Sequence, residues 1–592
     1  MTYRWLLAPE QPALAGEIAR ELRIGPLLAQ CLLNRSLTEP PAIQRFLEPR
    51  LKQLADPFLL PGMEPAVERL FRARRDNEPL VLFGDYDVDG VTSTAVLLEV
   101  LRALGWHPNC YLPNRFDEGY GLSLEALTNC LERFPASLLV ALDCGSTSNE
   151  SVAWLRQRGV DVIILDHHQV ASPPPSAYAL VNPLLGGATP PPPSSRSETG
   201  PPDSFDGVRP PFSELCSAGL AFKLAHALVK RGRETGLAEA ADFDLRPLLE
   251  LVAIGTVADL VPLVGENRIL VAAGLARLDG TQRPGLVALK EVAGSSEPLT
   301  TFEVAFQLGP RLNAAGRLET AEESLRLLLT SDADEALALA EALDRRNVER
   351  KKLEGGILEE AFKLVRGRFK PEADFVIVEG HALWHIGVVG IVAARLLQHY
   401  YRPTIIVGGD GPDWRGSGRS ILGFDMAAAL RQCADLLIRH GGHSMAAGLS
   451  LQPKNLDALR LRLNQLARQI LSAETLCAPL RLDAAVDLDG LTLPCLDELA
   501  RLQPLGQGNP AAQFLARKVV HRRPAKRLGA NGQHAKMWVG NGTMTHQTIW
   551  WRAGEQPLPS GCFDLAFAPQ IDSYKGQRSV LLKLLDWRPA PA

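Results

Sequence analysis

The sequence lacks the features that would place the chain in a membrane or in an oxidising compartment. Its nine cysteines are an odd number and include no CxxC pair, which argues against a disulfide framework and against a zinc ribbon. No stretch reaches the ~18 uncharged apolar residues that a membrane span requires. Residues 1–30 show no basic start followed by an apolar core, so we expect no secretory signal and a cytoplasmic location.

A strong overall charge is also missing. The net charge of −4 over 592 residues is not the basic balance of a protein that coats nucleic acid, so a DNA-binding surface would have to be a local groove. Apolar residues make up 46% and charged residues 22%, as in an ordinary globular protein. Because the chain is too long for one hydrophobic core, we expect three or four domains.

What the sequence does contain is acids and histidines at the ends of short apolar runs. The groups are Asp85-Tyr86-Asp87-Val88-Asp89-Gly90, Asp143, Asp166-His167-His168 and, at the end of the segment 248–259, Asp259. The first three follow predicted strands at 80–83, 137–142 and 160–165, and a helical pattern covers 91–104. Strands alternating with helices predict a parallel sheet, whose sites form at the carboxyl ends of the strands. We therefore expect these side chains to lie close together.

The loop that holds Asp85, Asp87 and Asp89 could be a simple turn, since Asp and Gly are common turn formers. Three acids this close repel one another unless a cation neutralises them, and an EF-hand would need spaced ligands and a late Glu that are missing. A lone histidine after a strand would be structural. Two adjacent histidines point in different directions, which favours one as a metal ligand and one as a phosphate or proton contact. Such oxygen and imidazole ligands suit Mn²⁺ or Mg²⁺, and pairs of these ions cut phosphodiesters.

The rest of the chain divides by composition. We expect a helical lead-in at 1–75, an α/β domain at 76–270, a helical connector at 271–369, a second α/β domain at 370–455 and a small β-barrel at 465–592. A proline-rich part of the first α/β domain, at about 183–212, cannot bury a core and is predicted to be a mobile surface insertion.

Two predicted glycine-rich loops in the second α/β domain are Arg415-Gly416-Ser417-Gly418-Arg419-Ser420 and Gly441-Gly442-His443-Ser444. Guanidinium, hydroxyl and backbone amide groups in such loops suit a phosphate, although a plain turn explains them equally well. Arg311 and Arg317 are weaker candidates, for which surface salt bridges are an equal explanation. A basic run in the barrel is either a solvated face or a nucleic-acid groove, and it consists of His521, Arg522, Arg523, Lys526 and Arg527.

Taken together, these phrases resemble a known family. The segment 84–90, Asp143, Asp166-His167-His168 and Gly255-Thr256-Val257-Ala258-Asp259 resemble the four motifs of the DHH phosphoesterases. The segments 384–393, 416–420 and 441–443 resemble the associated DHHA1 domain, and 503–510 resembles the junction before an OB domain. Their order and the chain length are similar to the single-strand-specific 5′→3′ exonucleases of this family from about residue 50 onward. The proline-rich insertion is the main departure, and it leaves every motif intact.

The resemblance implies two α/β domains, DHH and DHHA1, joined by long helices around a central groove, plus a C-terminal OB-fold β-barrel. It implies two Mn²⁺ or Mg²⁺ ions, one held by Asp89, Asp143, His167 and Asp259 and the other by Asp85, Asp87 and the bridging Asp143. In the same way it implies that His168 contacts the scissile phosphate and that His443 lies along the DNA. The 5′ phosphate would be held by Arg115, Ser417 and Arg419.

The implied activity is the release of mononucleotides from the 5′ end of single-stranded DNA, in recombination and repair. The implied partners are single-stranded DNA, a single-strand-binding protein and a RecQ-type helicase; the chain itself is expected to be a monomer without a membrane partner. Two alternatives stay open. One is a DHH phosphodiesterase acting on short oligonucleotides, cyclic dinucleotides or pyrophosphate, and the other is a non-catalytic replication scaffold of the same fold.

Overall fold

A computed structural model describes residues 3–591, with gaps at 116, 120, 187–211, 410, 530, 555 and 574–575. The proline-rich insertion expected at 183–212 falls almost entirely in one of these gaps, so that prediction lies outside the described residues. In the part of the chain that is described, no helix combines the length and the apolar composition needed to cross a membrane.

The N-terminal segment packs against the far end of the chain. It forms β1 (Tyr3–Leu7), α1 (Pro12–Leu22), α2 (Pro26–Leu33) and α3 (Pro40–Leu47). β1 pairs in parallel with a strand at Ala478–Leu482. Its helices bury Ile18, Leu28 and Ile43 in the same hydrophobic core as Phe514. The expected helical lead-in therefore also contains a strand, and its first three helices complete the core of the C-terminal barrel.

The first α/β body is built on a five-stranded parallel sheet. Its elements are α4 (Met63–Arg75), β2 (Leu80–Gly84), α5 (Val88–Ala103), β3 (Asn109–Tyr111), α6 (Leu124–Arg133), β4 (Leu138–Leu142), α7 (Asn149–Gln157), β5 (Asp161–Leu165), β6 (Ala179–Val181), α8 (Ser217–Glu234), α9 (Ala238–Ala241), α10 (Leu249–Ala258), α11 (Gly265–Asp279) and α12 (Pro284–Ala293). The strand order is β3-β2-β4-β5-β6. Because β2 and β4 are buried along their whole length, they are continuous apolar runs in the sequence.

Helix α5 begins three residues earlier than the helical pattern at 91–104 predicts. Asp87 caps it, accepting the backbone N–H groups of Asp89 at 2.9 Å and Gly90 at 3.2 Å. A Cβ at position 90 would lie 2.4 Å from the carbonyl oxygen of Asp85. Glycine is therefore required there, because the loop after β2 folds back on the first turn of the helix.

Helices connect the two α/β bodies. They are α13 (Thr301–Glu303), continued by a π-helical turn at Val304–Leu308, then α14 (Gly309–Leu318), α15 (Glu322–Leu329) and α16 (Ala333–Arg368). With 36 residues, α16 is about 54 Å long. It packs on α14 at one end and on the second α/β body at the other, so it fixes how far apart the two bodies lie.

The second body has a five-stranded mixed sheet in the order β10-β11-β9-β8-β7. Its elements are β7 (Ile377–His381), α17 (Val389–Tyr400), β8 (Thr404–Gly408), β9 (Trp414–Arg419), α18 (Met426–Arg431), β10 (Arg439–Gly442), β11 (Ala446–Leu451) and α19 (Leu456–Ile470). Helix α19 packs on β7, so this body extends past the boundary expected at residue 455.

The predicted loop at 415–420 is wrong, because most of it is the central strand β9, paired with both β8 and β11. The glycines serve close packing instead of a turn. A Cβ on Gly416 would lie 2.2 Å from Val407, and one on Gly418 would lie 3.0 Å from Met426. The second predicted loop, at 441–444, begins inside β10 for a related reason, since Gly441 and Gly442 pair with β11.

The C-terminal region is a closed barrel. It contains β12 (Ala478–Leu482), β13 (Ala484–Ala485), α20 (Leu493–Leu499), β14 (Phe514–Leu528), β15 (His534–Gly540), β16 (His546–Trp550), β17 (Cys562–Asp572) and β18 (Ser579–Pro589). The ring runs β14-β15-β16-β18-β17 and closes through pairing of β17 with β14. Arg268 of α11 attaches this region to the first body, donating to the carbonyl oxygens of Leu502 at 2.9 Å and Gln503 at 2.5 Å.

Candidate metal and phosphate site

The acids and histidines predicted to act together lie at one edge of the first sheet. They form three overlapping groups, in each of which the ligand atoms lie within 4.8 Å of one another. The groups are Asp85, Asp87 and Asp143; Asp89, His167 and Asp259; and Asp143, His167 and His168. Asp143 and His167 each belong to two groups, so the whole set is continuous and large enough for a pair of cations.

His167 lies at the centre of a ring of carboxylates. Its Nε2 is 3.8 Å from Asp89 Oδ2, 3.4 Å from Asp143 Oδ1 and 3.5 Å from Asp259 Oδ2. Among the described residues, neither His167 Nε2 nor Asp259 Oδ2 has a hydrogen-bond partner, although both atoms are buried. In the described part of the chain, Asp85 Oδ1 is also buried and has no hydrogen-bond partner. Buried polar atoms that face each other without partners fit a cation that binds between them.

The pKa values of these residues also favour a bound cation. Burial raises the pKa of Asp143, and the neighbouring acids, Asp89 first, raise it further. Burial also raises the pKa of Asp85, Asp89 and Asp259, again with contributions from nearby carboxylates. Burial lowers the pKa of His167, which keeps its imidazole neutral and able to ligate. A divalent cation would remove the cost of ionising these acids together, so the residues present fit a metal centre.

Helix α8 holds two of these acids in place. Asp89 accepts the backbone N–H groups of Ser217 at 2.7 Å and Ala218 at 2.8 Å, at the first turn of that helix. The hydroxyl of Ser217 donates to Asp143 Oδ1 at 3.0 Å. Asp143 itself has a φ of 65°, in the left-handed region that few non-glycine residues adopt. Sequence reasoning missed Ser217, which is the first residue of α8 and carries no motif of its own.

Asp166 orients His168 instead of joining the ligand groups. Its Oδ1 lies 2.7 Å from His168 Nδ1, and its Oδ2 accepts the backbone N–H of Ser146 at 2.9 Å. The hydrogen bond between Asp166 and His168 opposes the effect of burial on both groups. It raises the pKa of His168 and lowers the pKa of Asp166. The ring of His443, from the second body, stacks 6.4 Å from the ring of His168 at an angle of 12°. The two bodies therefore meet over the acidic cluster.

Beside this cluster lies a pocket of arginines, formed by Arg115, Arg317 and Arg419 together with Ser417. Burial lowers the pKa of Arg317 to about 10, and Arg115, Arg350 and Arg419 add to the effect. Burial and the neighbouring Arg115 also lower the pKa of Arg419. Within the described residues, none of the three pocket arginines forms an ion pair with an acid. Half-buried like charges with no ion-pair partner among the described residues have the charge that an anion would neutralise.

The glycines of the segment 384–393 shape this pocket. A Cβ on Gly390 would lie 3.1 Å from both Arg419 Nη2 and Ser417 Oγ, at the start of α17. Arg419 donates to Ser417 Oγ at 2.6 Å, and Arg317 donates to the carbonyl oxygen of Gly387 at 3.3 Å. The first turn of α17 thus adds its partial positive charge to the pocket.

The other residues predicted to contact the nucleic acid lie outside the arginine pocket. Arg311 forms an ion pair with Asp344 at 2.9 Å and donates to the carbonyl oxygen of Gln307, so it is not part of the arginine pocket. In the basic run of the barrel, Arg522 and Arg527 bond to backbone carbonyls of neighbouring turns. Arg523 lies 5.9 Å from the ring of Trp538.

Comparison with known proteins explains this combination of sites. Residues 79–256 match the family described as DHH family, N-terminal domain, residues 373–469 match the DHHA1 domain, and residues 482–586 match the RecJ OB domain. The single-stranded-DNA-specific exonuclease RecJ of Bacillus subtilis is 36% identical over 589 residues, covering 98% of this chain and 70% of that protein. This chain belongs to the RecJ family.

Solved RecJ structures match the fold as well as the sequence. RecJ of Thermus thermophilus in complex with Mn²⁺ has a TM-score of 0.81 and 32% identity, covering all of this chain and 80% of that one. The same protein in complex with Mg²⁺ has a TM-score of 0.76 and 30% identity, covering all of this chain and 79% of that one. The family and the fold class predicted from the sequence are therefore confirmed.

Proposed function

We propose that this RecJ-family chain is a metal-dependent exonuclease that degrades single-stranded DNA from its 5′ end and releases mononucleotides. RecJ of Bacillus subtilis is named as a single-stranded-DNA-specific exonuclease. The observation that carries the proposal for this chain is the position of the arginine pocket. It lies beside the acidic cluster, because Gly316, which precedes Arg317, is in backbone contact with Tyr86, the residue between Asp85 and Asp87. A strand end held in the pocket would place a nearby phosphodiester at the acids.

We assign two Mn²⁺ or Mg²⁺ ions to the acidic cluster; RecJ of Thermus thermophilus is in complex with Mn²⁺ in one solved structure and with Mg²⁺ in another. Asp85, Asp87 and Asp143 would hold one ion, and Asp89, Asp143, His167 and Asp259 the other, with Asp143 between them. When bound, such a pair supplies the charge that stabilises the attacking and leaving oxygens during phosphodiester hydrolysis.

The chain's own groups would orient the strand for this step. The imidazole of His168, held through Nδ1 by Asp166, would donate a hydrogen bond to an oxygen of the scissile phosphate. His443 would face the same nucleotide from the second body. Arg115, Arg317 and Arg419 would bind the terminal 5′ phosphate, with Ser417 as a further donor. This assignment gives the polarity, because a 3′ terminus offers no terminal phosphate to the pocket.

The barrel would hold the incoming strand. Trp538 lies close to two cations, with Lys536 Nζ 5.3 Å and Arg523 5.9 Å from its ring centroid. An aromatic ring flanked by positive charge suits a base and its adjoining phosphates. The barrel disfavours the first alternative, and the acidic cluster disfavours the second. A small-substrate phosphodiesterase needs no strand-holding module, and a non-catalytic scaffold has no reason to keep the whole set of acids.

The cellular location and the partners of this chain rest on different observations. The nine cysteines are all free thiols, which supports a reducing compartment such as the cytoplasm. Single-stranded DNA is the partner that the site and the family support. A single-strand-binding protein and a RecQ-type helicase stay predictions.

The proposal is tested with a long 5′-phosphorylated single strand, labelled at either end and incubated with Mn²⁺, Mg²⁺ or chelator. The expected result is release of labelled mononucleotide from the 5′ end at the earliest times, with no release in chelator. The same strand in a blunt duplex is the matched control and should stay intact. Release from the 3′ end first would contradict the polarity, and activity that survives chelator would contradict the metal assignment.

A further inference from the structure

Tyr86 lies between two of the acidic residues and reaches the arginine pocket. It separates Asp85 from Asp87 in the loop after β2. The guanidinium of Arg115 lies over its ring, 5.3 Å from the centroid. The ring offers its face to this cation, in the usual geometry of a cation–π contact.

Helix α14 prevents this ring from moving away. A Cβ on Gly316 would lie 2.5 Å from the carbonyl oxygen of Tyr86, so the helix and the loop are in direct backbone contact. Asn313 of the same helix accepts the backbone N–H of Val88 at 3.2 Å. Arg317, which follows Gly316 in α14, belongs to the arginine pocket. One short helix thus fixes the acidic loop relative to the pocket.

Arg115 has a particular need for such support. In the described part of the chain it makes no ion pair, and it lies close enough to Arg317 and Arg419 to lower the pKa of both. Repulsion by these two charges would turn a flexible arginine side chain outward. Among the described residues, the ring of Tyr86 provides a contact that opposes this movement before any anion is bound.

We infer that Tyr86 is a positioning residue that holds Arg115 in the pocket and so couples recognition of a 5′ phosphate to the acidic loop. This inference rests on the proposed function and extends it to a residue that touches neither the phosphate nor a metal. Its consequence is specific: loss of the ring face weakens the use of 5′-phosphorylated strands and leaves 5′-hydroxyl strands unaffected.

The test compares Tyr86→Leu with Tyr86→Phe on one oligonucleotide that carries either a 5′ phosphate or a 5′ hydroxyl. For Tyr86→Leu we expect KM on the phosphorylated strand to rise roughly threefold to thirtyfold, the range of a partly buried cation–π contact, with little change in kcat. Tyr86→Phe keeps the ring face and should retain the wild-type KM. Adding Tyr86→Leu to Arg115→Met should raise KM no further than Arg115→Met alone.

Two outcomes separate this inference from the proposed function. If the wild-type protein releases no nucleotide, the proposed function fails. If the wild type is active and prefers a 5′ phosphate, but Tyr86→Leu keeps that preference, only the inference fails.

A series of fluorinated phenylalanines at position 86 guards against a folding defect in Tyr86→Leu. Fluorine withdraws charge from the ring face while the shape hardly changes, so KM for the phosphorylated strand should rise with each fluorine. A KM that is independent of fluorination would overturn the inference. The melting temperature and Mn²⁺ affinity of each variant should match those of the Phe variant, because the loop backbone is unchanged.

Discussion

Replacing Arg317 by methionine should make the protein more stable and a poorer enzyme. Arg317 is a half-buried cation beside Arg115 and Arg419, and among the described residues it donates to the carbonyl oxygen of Gly387 at 3.3 Å. Methionine has a similar length and no charge. The change therefore removes one charge of the proposed 5′-phosphate pocket and keeps most of the packing.

The expected gain in the free energy of unfolding follows from the lowered pKa of Arg317 and from the hydrogen bond to Gly387 that is lost. A fall in the pKa of Arg317 from 12.5 to about 10 corresponds to a cost of about 3 kcal/mol for the charged form at neutral pH. Losing the long bond to Gly387 offsets about 1 kcal/mol of that gain. A net stabilisation of about 1–2 kcal/mol should raise the melting temperature by a few degrees.

The effect on catalysis has the opposite sign. One guanidinium bound to a phosphate contributes about 1.5–3 kcal/mol, so KM for a 5′-phosphorylated strand should rise roughly tenfold to a hundredfold. The assay pairs thermal unfolding in phosphate-free buffer with initial rates on 5′-phosphorylated and 5′-hydroxyl strands.

Arg311→Met is the matched control, since the residue lies on the same helix but pairs with Asp344 at 2.9 Å. This variant should lose a little stability and keep the wild-type preference for a 5′ phosphate. The reasoning is refuted if Arg317→Met melts below Arg311→Met and still prefers phosphorylated strands, because the pocket would then be neither strained nor selective.

Three further results are expected. Asp143→Ala should lower nuclease activity by about a thousandfold or more, because Asp143 belongs to two ligand groups. The number of Mn²⁺ ions bound per chain, measured by calorimetry, should also fall. An unchanged number would contradict a shared ligand. Asp166→Asn should lower kcat by about tenfold to a hundredfold with Mn²⁺ stoichiometry kept, since Asp166 holds His168 at 2.7 Å; loss of metal instead would make Asp166 a ligand. In chelator, the melting temperature should rise as pH falls from about 8 to about 5, because the raised pKa of Asp143 and Asp259 means that the folded state takes up protons that the unfolded state does not. The lowered pKa of His167 acts against this trend, and added Mn²⁺ should abolish it; melting that falls with pH in chelator would show that the acids do not repel one another.

The acidic cluster was predictable because its signal is local. β2 and β4 are buried strands, so they are visible as apolar runs, and the residue that follows such a strand must lie at the edge of the sheet. Glycine-rich segments were ambiguous, because glycine serves turns and close packing alike. Gly416 and Gly418 make room for Val407 and Met426 inside a sheet, and nothing in 415–420 itself distinguishes that use from a loop.

Other features depend on partners that are distant in the sequence. Arg311 and Arg317 lie six residues apart on one helix, and only their neighbours decide that one is paired and the other is not. The roles of Ser217 and Tyr86 follow from contacts with Asp143 and Arg115, which belong to other elements. No local pattern could have predicted either contact, since both depend on how the helices pack.

The packing of the N-terminal helices against the barrel has a consequence for how the protein folds during synthesis. Ile18 and Leu28 are synthesised almost five hundred residues before their packing partner Phe514. The apolar faces of these helices must therefore stay uncovered until the barrel strands have been made. Expression of residues 482–586 alone should give an aggregation-prone fragment, and addition of a peptide covering residues 3–47 should restore a soluble barrel.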